Sequence, residues 1–99
     1  MTRQIRNVGE LDLDSISELV ARCFGEGWGR AALGDFLASS TGRMRVVIGD
    51  GDPDRLLGSL VARRVAELVE IDLLGVAPEF RRQGHAAALL EELICDEAA

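Results

Sequence analysis

Lysine and tyrosine are missing altogether from this 99-residue chain, and histidine and tryptophan occur once each. Every basic residue is arginine, and eleven of them face seventeen Asp and Glu, leaving a net charge of −6. General nucleic-acid binding rests on neutralising phosphates with positive charge, so no nucleic-acid partner is expected. One histidine and two cysteines cannot assemble a zinc site of recognisable spacing, and no metal is expected. Cys23 and Cys95 each fall within an apolar helical stripe and read as small buried hydrophobes in a reducing compartment. No apolar run approaches the ~20 residues that span a bilayer. The charged start, Met1 to Arg6, has no apolar h-region behind it, so it is no signal peptide. A soluble, non-exported, cytoplasmic protein is expected. With 47% apolar and 28% charged residues, the chain reads as one globular domain over 1–99.

Two periodicities divide it. Residues 2–8 suit a short strand with Ile5 inward. Ile16, Leu19, Val20, Cys23 and Phe24 then repeat at helical spacing, with Ser15 and Glu18 at capping-box spacing and Gly25 as a stop. After a Gly25-Glu26-Gly27 loop, Trp28 introduces a second short helix near 30–39, with Ala32, Leu33, Phe36 and Leu37 on one face. Trp28 suits either a ligand platform or an aromatic anchor for that loop. From Arg43 the period becomes two: Met44, Val46 and Ile48 alternate along a strand, and 56–65 and 67–76 continue as an antiparallel meander. Asp50, Asp52 and Asp54 have the spacing of a calcium loop. Arg55 and Val61, however, stand where that loop needs Gly and Glu, so 49–54 reads as a hairpin turn. A final helix follows, with Ala87, Leu89, Leu90, Leu93 and Ile94 as its buried stripe.

The junction before that helix carries the chemistry. The first N–H groups of a helix have no intrahelical acceptor, and the helix dipole adds partial positive charge there. Gly84 and Ala86 clear side-chain bulk from those amides, while Arg81 and Arg82 supply a positive potential that the whole chain lacks. A pyrophosphate suits such a turn. Arg81–Gly84–Ala86, within the longer run from Leu74 to Leu93, resembles the acetyl-CoA signature of the GNAT acetyltransferases. The order strand, helix, helix, three strands, helix resembles the N-terminal part of the GNAT (acyl-CoA N-acyltransferase) fold, an α+β architecture. The Trp28 helix and the signature look most like the ribosomal-protein alanine N-acetyltransferases.

The resemblance implies acetyl-CoA as acetyl donor and an amine as acceptor, a protein N-terminal alanine being one candidate. The alternative is a CoA-binding or interaction module without turnover. The resemblance puts Arg81, Arg82, Gln83, Gly84, His85 and Ala86 on the CoA phosphates. It puts Leu74 and Val76 on pantetheine, with Gly75 near an expected bulge. Glu70 stands six residues before Val76, where some family members carry a Glu that removes the amine proton. Strand alternation puts Glu70, Asp72, Leu74 and Val76 on one face, which makes Glu70 or Asp72 the candidate base; an exposed strand carboxylate is the competing reading. The family continues with a fifth strand, a further helix and a hairpin that have no counterpart before Ala99. In the alanine branch that portion carries a base Glu, an Asn contact and a Tyr acid, so the chain reads as a domain truncated after its CoA-binding helix.

Overall fold

In a computed structural model, residues 3–25, 28–49 and 51–98 are described. Thr2, Glu26, Gly27 and Asp50, which enter the strand, loop and turn expectations above, lie outside them. Four strands form one antiparallel sheet in sequence order: β1 (Arg3–Asn7), β2 (Gly42–Gly49), β3 (Leu56–Val65) and β4 (Leu68–Val76). Helices α1 (Leu13–Phe24) and α2 (Arg30–Ala38) cover one face, and α3 (His85–Ala98) covers the other. Short 3₁₀ turns at Glu10–Asp12 and Pro78–Phe80 lead into α1 and toward α3.

Burial follows from that sandwich. Ile16, Val20 and Leu33 meet Met44, Val46 and Val61 on the α1–α2 side. Leu89 and Leu93 meet Val47, Leu60 and Ala62 on the α3 side. Strands covered on both faces bury consecutive residues, which is why Val46, Val47 and Ile48 are all buried where simple alternation exposes Val47. The α3 stripe is narrower than its sequence suggests. Leu89 and Leu93 are buried, but Ile94 is 64% exposed and Cys95 is exposed. Cys95 is therefore no core thiol, while Cys23 is half-buried, and both are free. Among the described residues no helix is long and apolar enough to cross a membrane.

Helix α1 starts two residues earlier than Ser15, running directly out of the 3₁₀ turn. There the Asp12 carboxylate accepts the Gly9 N–H at 2.8 Å and both guanidinium nitrogens of Arg6 at 2.8 and 2.9 Å. A partly buried ion pair together with a capping-box bond to the Gly9 N–H outcompetes the Ser15 cap. Gly25 ends α1 as expected, at φ +81°, its N–H bonded to the Ala21 carbonyl. Trp28 anchors the α1–α2 connection: its carbonyl accepts from Ser17 Oγ at 3.0 Å, and its ring packs 5.2 Å from that of Phe36. In the 49–54 turn, Asp52 Oδ1 accepts the Asp54 N–H, a local turn bond.

Gly34 lies inside α2, and a Cβ there would meet only Leu13 Cδ1 at 3.7 Å, an ordinary contact. Gly34→Ala therefore reduces the freedom of the unfolded chain without a clash. It is expected to stabilise the protein by about 0.5–1 kcal/mol, raising Tm in a thermal melt by roughly 4 °C.

Candidate cofactor cleft

Strand β4 does not keep a single alternation. Val61 pairs with Leu73 and Ala62 with Ile71, so Asp72 is an extra residue, a β-bulge. The bulge shifts the phase by one. Leu74 packs on the α3 side and Leu73 on the α1–α2 side. Glu70, on the other side of the bulge, pairs with Arg63, as Leu73 does with Val61, and lies on the α1–α2 face. Glu70, Asp72, Leu74 and Val76 thus do not share a face, contrary to the alternation expected from sequence. The bulge also lies at Asp72 rather than at Gly75. Gly75 answers a different demand: a Cβ there would approach Cys23 Sγ and the Phe24 ring to 3.2 Å, so α1 crosses β4 closely enough that any side chain would push Cys23 and Phe24 aside.

At that crossing the end of β4 meets the end of α1 and the start of α3, and between them opens a cleft of about 450 Å³. Leu74, Val76, Arg81, Arg82, Gly84, His85 and Ala86 all line it, with Cys23, Phe24 and Phe80. Gln83 contributes its backbone to the same turn but is not part of the lining. Glu70 and Asp72 stand outside the cleft and share Arg63, at 3.2 and 3.6 Å.

The turn is shaped by two left-handed residues, Arg82 at φ +64° and Gly84 at φ +82°. Gly84 immediately precedes α3 and caps its start, its carbonyl accepting the Ala88 N–H at 3.0 Å. The amides just past it therefore point toward the cleft end without intrahelical partners. Arg81 Nε and Cys23 Sγ both donate to the Val76 carbonyl, at 3.1 and 3.4 Å, tying the turn and α1 to the end of β4.

Charge is distributed unevenly around this turn. Arg6, Arg22, Arg30, Arg43, Arg45, Arg63 and Arg64 each hold a carboxylate. Arg3, Arg55, Arg81 and Arg82 hold none among the described residues, and all four stand at this turn. Arg55 lies 4.9 Å over the Phe80 ring, and Arg3 donates to the Gln83 carbonyl at 3.0 Å. Among the described residues, the guanidinium groups of this acidic chain that lack a carboxylate partner thus gather in one place, beside a helix N-terminus. Arg3, Arg55, Cys23, Phe24 and Phe80 were not recognised from sequence. Only the folded sheet brings β1, the β3 approach and the end of α1 to residues 80–85, and no local motif marks them.

A family model describing the acetyltransferase (GNAT) family matches residues 13–99. The chain belongs to the GNAT acetyltransferase family. No curated protein matches it by sequence. Among solved structures it resembles the ribosomal-protein-S18-alanine N-acetyltransferase of Escherichia coli at 19% identity and a TM-score of 0.83, over 97% of this chain and 59% of that one. It resembles the PaiA N-acetyltransferase of Thermoplasma acidophilum, solved with coenzyme A, at 17% identity and a TM-score of 0.86, over 99% and 73% of the two chains. An aminoglycoside 6′-N-acetyltransferase of Acinetobacter baumannii aligns at 15% identity and a TM-score of 0.77, over 95% and 70%. At these identities the likeness is one of fold, the α+β GNAT architecture. The GNAT chain described here spans less than two thirds of the length of the Escherichia coli enzyme.

Three titrating groups make the stability of this GNAT chain acid-sensitive. Burial, and then the charge of Arg3, hold His85 below its ordinary 6.5. The hydrogen bond from Arg6 holds Asp12 below its ordinary 3.8, against the cost of burial. Burial alone would raise Glu97, but hydrogen bonds from Arg43 and Arg64 bring it below its ordinary 4.5. In each case the unfolded chain binds the proton more readily, so protonation favours unfolding. Stability is expected to be full above about pH 7 and to decline as pH falls through 6.5, where unfolded His85 protonates. It should drop again below 4.5 as Glu97 and then Asp12 take up protons. Urea melts across this range measure it; a flat profile between pH 7 and 5 would contradict the His85 contribution.

Proposed function

We propose that this chain is the cofactor-binding portion of an acetyl-CoA-dependent N-acetyltransferase that acts on an amine. The observation that carries the reading is that β4's end and the α3 N-terminus meet at one cleft, lined by Arg81 and Arg82, with Arg3 and Arg55 beside its turn, and that none of these arginines has a carboxylate partner among the described residues. The residues present fit the cofactor. The α3 amides, Gly84 and Ala86 suit its diphosphate; Arg81 and Arg82 supply charge; and His85, one of the lining residues, has a buried Nε2 without a partner among the described residues. Leu74 and Val76 border the cleft at the strand end, where an extended pantetheine arm has backbone groups to pair with. When bound, acetyl-CoA supplies an activated acetyl thioester.

The chain's own contribution is to hold that cofactor and to accept a proton from the amine. Asp72 and Glu70 are the proposed proton acceptors, serving an amine that approaches from the α1–α2 face. Asp72 is the better placed, because its Oδ2 is buried beside Arg63 without a hydrogen-bond partner among the described residues. A protein α-amine, with a reference pKa near ~8, asks less of a base than a lysine amine near ~10.4. A protein N-terminus, alanine included, is therefore the favoured acceptor. The protein is proposed to work in the cytoplasm. As a domain it corresponds to the part of a GNAT enzyme that ends with the CoA-binding helix.

The position of Glu70 and Asp72 outside the cleft favours one second reading, a module that binds CoA without turnover. Calorimetric titration of CoA, followed by a thiol-release assay with acetyl-CoA and an alanine-terminated peptide, tests both. Binding with release supports the enzyme, binding without release supports the module, and no binding removes both. Asp72→Asn is expected to lower kcat/KM more than Glu70→Gln.

A further inference from the structure

We infer that Arg3 is a positioning residue that fixes His85 as the neutral Nε2–H tautomer, giving the cleft one uncharged, directional donor for a diphosphate oxygen of CoA. The inference rests on the CoA reading above and adds to it a specific role for two side chains 82 positions apart.

The tautomer follows from donor chemistry. A guanidinium carries only donors, and Arg3 Nη1 stands 3.3 Å from His85 Nδ1. That contact is a hydrogen bond only if Nδ1 is the acceptor, so Nδ1 bears no proton. A neutral imidazole then carries its proton on Nε2. Charging the ring would set an N–H against the Arg3 donor and add a second positive charge beside it. His85 is only 3% exposed, which also disfavours the charged form. Nε2–H is thus a buried donor, and it has no partner among the described residues. Buried donors without acceptors are rare and call for an explanation. Here His85 is the first residue of α3 and one of the residues lining the cleft whose amides already suit an anion.

Arg3 is itself held in place. Its Nη2 donates to the Gln83 carbonyl at 3.0 Å, and its guanidinium lies 3.5–3.6 Å from where a Gly84 Cβ would stand. It therefore braces the turn from outside while it orients the ring. Arg81 and Arg82 and the α3 dipole supply the charge; His85 supplies direction.

The chain has one histidine, so a long-range ¹H–¹⁵N spectrum of the ¹⁵N-labelled protein shows a single imidazole. At pH 7 it should show the Nε2–H tautomer, and saturating CoA should shift its Nε2 resonance. Arg3→Gln should lose the tautomer preference. His85→Leu, with its fold checked by the amide spectrum, should weaken CoA binding about tenfold or more, the loss of one hydrogen bond to a charged group. An Nδ1–H tautomer, an imidazolium at pH 7, or an imidazole unmoved by bound CoA overturns the inference while leaving CoA binding standing. A folded parent chain that does not bind CoA overturns the inference together with the function it rests on.

Discussion

Gly84→Glu is expected to abolish CoA binding while the chain remains folded. Gly84 sits at φ +82°, where a Cβ is strained but meets no backbone; the nearest atoms are the Arg3 guanidinium nitrogens at 3.5 and 3.6 Å. A glutamate there can reach Arg3, which limits the damage to the fold. The same carboxylate stands where a phosphate needs the α3 amides. Two unit charges of like sign ~4 Å apart cost about 4 kcal/mol at an effective dielectric of ~20, which is nearly three factors of ten in affinity. Gly84→Ala separates charge from conformation. It carries only the left-handed penalty of roughly 1–2 kcal/mol and should retain measurable binding. Calorimetric titration of CoA into both variants decides the matter, and a Gly84→Glu protein that binds like the parent would remove the turn from the site.

The signature turn was legible in the sequence because its chemistry is contiguous. Arg81, Arg82, Gly84 and Ala86 act through one helix end, and neighbours in sequence there are neighbours in space. Helix α1 was legible for a similar reason: Ile16, Leu19 and Val20 repeat at a period that only a helix satisfies, and all three are buried. Its start was misplaced because Ser15 and Glu18 match a local motif, while Asp12 is fixed by Arg6 across a tertiary contact.

What failed were properties that depend on one-residue offsets or distant pairings. The bulge at Asp72 has no local marker, since Glu70-Ile71-Asp72-Leu73 alternates as well as any strand. One extra residue nonetheless moves Glu70 to the face opposite Leu74 and Val76, and with it the direction from which a base could reach an amine. Arg3 is a terminal-strand arginine with no motif around it. Its contact with His85 exists only because β1 joins the far side of β2 and α3 crosses the same end of the sheet. Cys95 and Ile94 fall on an apolar stripe by sequence yet are exposed. Helical spacing states which residues share a face, but not how much of that face a neighbour covers.

Gly42→Ala is expected to be the most destabilising single-methyl change in the described chain. A Cβ on Gly42 would stand 2.1 Å from the Phe36 carbonyl oxygen and 3.0 Å from its carbon, both backbone atoms at the end of α2. Neither can rotate away, so α2 must lift from the start of β2. Overpacking typically costs 1–3 kcal/mol, and a backbone collision of this depth should cost about 3 kcal/mol or more. For a domain with roughly 5–15 kcal/mol of total stability, a loss of that size lowers Tm by more than about 10 °C. The effect should reach the cleft. Phe36 packs on Trp28, the Trp28 carbonyl is held by Ser17 of α1, and α1 ends in Cys23 and Phe24, which wall the cleft over Gly75. A displaced α2 therefore loosens α1, and CoA affinity should fall in the fraction that stays folded, although Gly42 lies outside the cleft. Thermal melts and CoA titrations on Gly42→Ala, with Gly34→Ala as the companion that adds a methyl to α2 without a clash, measure both effects. Equal melting temperatures for the two variants would show that α2 does not bear on β2 at Gly42.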